Sequence, residues 1–139
     1  MFFCSNQSYE KGTPFSNVLR NKFKELFILT QTILQSQYRV STNVVDGLND
    51  MIHFNLIVYP NGTYALNDRV FTARMIDDNI GSFSSIATDV ARLASEFGVL
   101  LDDRGELTRD YIDSRDLRSE VNNFTQLLNR VVQFAQLNR

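Results

Sequence analysis

Asp77–Phe97, DDNIGSFSSIATDVARLASEF, is the stretch on which a reading of this chain turns. Ile80, Phe83, Ala87, Val90, Ala94, Phe97 and Leu101 recur at three- and four-residue steps, one apolar stripe of an α-helix. Ile86, Ala91 and Leu93 widen that stripe, which predicts neighbours on more than one side. Asp77, Asp78 and Asn79 offer short acceptors for the unpaired amides of a first turn, and Gly98 suits a left-handed closing residue. With only Asp89, Arg92 and Glu96 charged in its body, the helix is expected to be central rather than peripheral.

Working outward, residues 1–13 read as a loose N-terminal arm. A long helix is expected from Pro14 and Ser16 to about Tyr38, carried by Leu19, Phe23, Leu26, Phe27, Ile33 and Leu34. Ser41 to Asn55 reads as an amphipathic helix through Val44, Val45, Leu48, Met51 and Ile52, although the β-branched pair and Gly47 weaken its propensity. Leu56-Ile57-Val58-Tyr59 has strand propensity, and Pro60-Asn61-Gly62 is a turn signal that could close a hairpin onto Thr63-Tyr64. An isolated two-stranded ribbon is only marginally stable, so the hairpin weighs little against the helical pattern. Leu66–Ile76 returns to helical spacing, Asp102-Asp103-Arg104-Gly105 is a loop, and Glu106–Ile112 is expected to be a short helix. From Ser114 onward, Leu117, Val121, Phe124, Leu128, Val131 and Ala135 predict a helix of about six turns. The expectation is an all-α bundle in one domain, 1–139.

Composition narrows the function classes. The 139 residues are 43% hydrophobic and 22% charged, with a formal net charge of −2 and scattered Lys and Arg. A clustered basic face for nucleic acid is not evident. No apolar run approaches the ~20 residues that span a bilayer, and Met1-Phe2-Phe3 lacks the basic lead of a secretory signal, so a soluble intracellular protein is expected. The single cysteine, Cys4, excludes an internal disulfide. His53 is the one histidine and has no companion cluster, so no metal site is expected; it reads as a histidine at a helix end. The adjacent pairs Asp77/Asp78 and Asp102/Asp103 cannot share a helix face and suit capping better than acid–base work, and glycine-rich phosphate signatures are absent. No catalytic residue and no cofactor is expected, and an enzyme is not the reading. Ser82, Ser84 and Ser85 fit either an exposed first turn or a floor that a ligand's backbone approaches, and Gly81 favours close approach.

Asn79-Ile80-Gly81-Ser82, opening an apolar helix after an amphipathic one, resembles the first homology region of the Bcl-2 family of apoptosis regulators, Asn-Trp-Gly-Arg after Asp-Gly. Asn79 and Gly81 match, while Ile80 and Ser82 replace the tryptophan and arginine. The order of expected helices is also similar, and the size and diverged motif resemble a viral member of the iridovirus type. The resemblance implies a Bcl-2-like bundle whose groove sequesters the amphipathic death-ligand helix of pro-apoptotic partners, Bim-like ones first. It places Val45, Leu48, Ile52 and Tyr59 on one wall, Val70, Ala73 and Arg74 on the other, and Ser84 and Ser85 on the floor. Asn79 and Gly81 would meet the ligand helix, with Arg69 or Arg74 compensating for the arginine missing at Ser82. A narrow partner set follows from that loss. The implied location is the host cytoplasm, with docking to mitochondria as an option. The alternative is a self-associating helical scaffold protein; homodimers fit either.

Overall fold

The computed structural model describes residues 2–3, 28–31, 37–45 and 51–139. It overturns the all-α expectation. Among the described residues seven strands form an antiparallel sheet: β1 (Phe2–Phe3), β2 (Ile28–Gln31), β3 (Gln37–Val45), β4 (Met51–Val58), β5 (Tyr64–Asn67), β6 (Leu100–Leu101) and β7 (Leu107–Ile112). Three helices complete the fold, α1 (Phe71–Asn79), α2 (Phe83–Glu96) and α3 (Leu117–Leu137). The sheet order is β1-β3-β4-β5-β7-β6, with β2 also pairing along β3.

The period of two explains the sheet. In β3, Tyr38, Val40 and Thr42 are buried while Arg39 is exposed. In β4, Ile52, Phe54, Leu56 and Val58 are buried, whereas His53, Asn55 and Ile57 are only partly covered. Alternation of this kind turns one face to a core and the other outward. The helical spacing expected over Ser41–Asn55 came from Val44, Val45, Met51 and Ile52, which straddle two paired strands; Leu48 lies outside the described residues. The expected first helix is likewise replaced by β2 and the start of β3 at its C-terminal end, its earlier part lying outside the described residues, as does the 1–13 arm apart from β1.

The hairpin forms. Pro60-Asn61-Gly62 makes a three-residue loop in which Gly62 has φ 88° and donates to the Tyr59 carbonyl at 3.0 Å. Asn61 Oδ1 accepts from the Thr63 amide at 3.0 Å and its hydroxyl at 2.7 Å. Its strands are stable because β3 and β7 pair on either side, so the ribbon is not isolated. The short helix expected at Glu106–Ile112 is strand β7 instead, paired with β5 and β6.

Helix α3 matches its sequence pattern. Leu117, Val121, Phe124, Leu128, Val131 and Ala135 are all buried, and the helix crosses β3, β4, β5 and β7. Phe124 meets Phe54 edge-on, centroids 4.8 Å apart, and burial of such side chains contributes roughly 1.5–3 kcal/mol each. Helices α1 and α2 pack on α3 and on one another. Helix α2 is not central: Phe83, Ile86, Val90 and Ala94 are buried, but Ala91 is exposed and Leu93 half-buried, so it covers one side only. Helix α1 runs to Asn79, past the expected break at Asp77-Asp78, and Asp77 reaches across the gap to accept from the Phe83 amide at 2.8 Å. No helix among the described residues is long and apolar enough to cross a membrane.

Gly105 closes the β6–β7 hairpin at φ 90°, and a Cβ there would sit 3.1 Å from Ala73 Cβ. Gly81 has no such constraint; a Cβ would meet Arg139 Cβ at an ordinary 3.6 Å. Gly105→Ala is therefore expected to destabilise the fold by about 2 kcal/mol in urea denaturation, and Gly81→Ala by well under half of that.

Candidate functional site

The turn Asn67-Asp68-Arg69-Val70 between β5 and α1 is the most constrained backbone in the described chain. Arg69 and Val70 both adopt left-handed conformations, φ 52° and 65°. For a β-branched valine this is an outlier that neighbouring structure must hold in place. Asp68, 3% exposed, supplies the hold. Its Oδ1 accepts from the amides of Val70 at 3.0 Å and Leu107 at 2.9 Å, and its Oδ2 from that of Thr72 at 3.3 Å. Burial raises the Asp68 carboxyl pKa above its ordinary value, outweighing those hydrogen bonds, which pull it down. Asn67 adds a second tie: its Oδ1 accepts from the Arg69 amide and its Nδ2 donates to Thr108 Oγ1 at 3.0 Å.

This turn forms one wall of a cavity of about 340 Å³ on the outer side of the sheet. Arg39 of β3 and Asn55 of β4 are cross-strand partners in register, and His53 lies one step along the same face. Arg69 comes from the turn, and Phe71 and Arg74 from the first turn of α1. Arg69 donates to Gln37 Oε1, and the His53 ring packs on Phe71 with centroids 4.7 Å apart. Among the described residues, none of these three guanidinium groups pairs with a carboxylate. Asp68 lines the wall too, but its oxygens are occupied by backbone amides.

The residues assigned to a death-ligand groove are dispersed. Val45 ends β3, Ile52 is buried in β4 and Tyr59 follows it; Val70 sits in the strained turn and Ala73 is buried in α1. Asn79 ends α1, where its Nδ2 donates to the Met75 carbonyl at 3.1 Å. Gly81, Ser82, Ser84 and Ser85 are exposed at the α1–α2 junction, with Ser85 Oγ donating to the Ser82 carbonyl at 2.8 Å. The exposed-turn account of the serines is the one the structure matches. Two helical walls facing one another across a floor are not built by these residues. Of that set, Arg69 and Arg74 line one cavity together, and it is a cationic one. His53 is not at a helix end but inside β4, and with Arg39 and Asn55 it occupies the outward positions of alternating strands, the pattern that carries their signal in the sequence.

No family model, no curated protein and no solved structure matches the chain.

Removing Asp68 leaves the buried amides of Val70, Thr72 and Leu107 without their acceptor. Asp68→Ala is expected to cost about 3 kcal/mol or more in denaturant melts. The raised pKa makes the folded state bind a proton more readily than the unfolded chain. On this residue's account, stability is therefore greatest below pH 3.8 and falls as pH rises through the elevated folded value. Asp68→Asn is expected to abolish that downward slope in stability–pH profiles.

Proposed function

We propose that this protein is a binding module that captures a phosphate-bearing ligand in the arginine-lined cavity between the outer sheet face and the start of α1. The observation that carries the reading is the convergence of Arg39, Arg69 and Arg74 on one cavity with no carboxylate partner among the described residues. Like charges gathered on a chain of formal net charge −2 repel one another, and an anion bound among them relieves that repulsion. A guanidinium presents a planar fork of donors that matches the oxygens of carboxylate and phosphate. One carboxylate saturates a single fork, whereas a dianionic phosphate spreads charge and acceptors over several. Asn55 adds an amide donor, and the Phe71 and His53 rings give an apolar flank for whatever carries the phosphate. The α1 amides do not compete for the anion, because Asp68 already accepts from Val70 and Thr72.

This reading takes the place of the death-ligand groove, which calls for an apolar trough between helices, and of the helical scaffold, which calls for outward apolar helix faces. The apolar faces of α1, α2 and α3 are mostly buried, with Phe71 at the start of α1 and Leu137 at the end of α3 exposed.

The test is isothermal titration with inorganic pyrophosphate at low ionic strength. Binding is expected in the intact chain and is expected to weaken as salt is added. Arg39→Ala and Arg74→Ala, both at exposed positions, should each weaken it about tenfold, as loss of a charge-assisted hydrogen bond of about 1.5 kcal/mol requires. Absence of heat in the intact chain, or affinity in both variants equal to that of the intact chain, overturns the reading.

A further inference from the structure

A second cavity, of about 460 Å³, opens at the tip of the β4–β5 hairpin, lined by Tyr59, Pro60, Asn61, Thr63, Asp110 and Tyr111. Its chemistry is opposite to that of the arginine cavity. The wall from β7 is a β-bulge: Tyr64 is in register with Ile112 and Leu66 with Arg109, so Asp110 and Tyr111 together oppose Ala65. Bulges re-aim side chains, and this one does so at a conformational cost, because Tyr111 is held at φ 55°. The ring that the strained backbone carries is 81% exposed, so no core packing offsets the strain. Tyr59 stands across the cavity, its hydroxyl pKa raised by partial burial and then by the negative charge and hydrogen bonding of Asp110. Asp110 Oδ1 also accepts from the Tyr111 amide at 2.9 Å. The neighbouring Arg109 sends its Nε to Glu120 at 3.0 Å and donates to the Asp110 carbonyl rather than its carboxylate. The Asp110 carboxylate therefore has no cation among the described residues.

We propose that Tyr59, Asp110 and Tyr111 form a receiving site for a cationic side chain, the guanidinium of an arginine on a peptide or protein partner. Two phenol rings and a proline supply faces for the flat cation and its methylene stem, and the carboxylate supplies the counter-charge. A cation over a tyrosine ring gains from the ring quadrupole, and a guanidinium also stacks flat on it. The site is independent of the phosphate reading and stands or falls without it.

The experiment is a backbone-amide NMR titration of the full chain with N-acetyl-arginine methylamide, run beside the uncharged citrulline analogue. Shifts are expected at Tyr59, Thr63, Asp110 and Tyr111 with arginine and not with citrulline. Asp110→Asn preserves an acceptor for the Tyr111 amide while removing the charge, and should weaken the arginine titration at least threefold. Tyr111→Gly should weaken it similarly while raising the melting temperature, since glycine relieves the left-handed backbone. That combination would not arise if Tyr111 served the fold alone. Equal perturbation by citrulline, no shift with arginine, or unchanged titrations in both variants overturns the proposal.

Discussion

One buried carboxylate holds three elements of this fold in place. Asp68 follows the last residue of β5 and accepts from the start of α1 and from the first residue of β7. A carboxyl group so far from water loses its hydration, and hydrogen bonds from three backbone amides offset part of that loss. In return the chain can leave β5, reverse through two left-handed residues and begin a helix without a side-chain cap of its own at Val70. Gly105 is drawn into the same corner, its Cα hydrogens filling the space beside Ala73 that a methyl would need. The geometry of the arginine cavity is a consequence, because Arg69 and Arg74 are placed by this turn.

The sheet divides the molecule into two chemical sides. Its inner face, Val40, Phe54, Leu56 and Leu66 among others, is sealed by α3 and is fully buried. Its outer face carries Arg39, His53 and Asn55, and its far end carries the Tyr59–Asp110–Tyr111 cluster.

Helix α3 was legible from sequence because its apolar residues keep one period for six turns and nothing else competes for them. Helix α2 was legible in its C-terminal part but not in its start or its rank: it begins at Phe83, Asp77–Asn79 belong to α1, and Ala91 and Leu93 are small or adaptable enough to sit at a margin. The strands are not legible in the same way. Over Ser41–Asn55 a handful of apolar residues can be fitted to either period, and only the alternation continuing from Tyr38 through Thr42 and again from Ile52 through Val58 separates them. The hairpin at Pro60-Asn61-Gly62 is visible in the sequence as a turn signal, but the pairing that stabilises it comes from β7, some 45 residues away.

By itself, then, the amino-acid sequence determined the local events: where turns fall, where one long helix starts, and which residues are apolar enough to be buried. Tertiary structure alone decided that Asp68 would be the hub, since its partner Leu107 lies 39 residues away. It also decided that Arg39, Arg69 and Arg74 would converge. The reason is physical: strand pairing and buried-charge satisfaction are long-range bonds, set by which backbone groups meet after collapse and not by any pattern within a single segment.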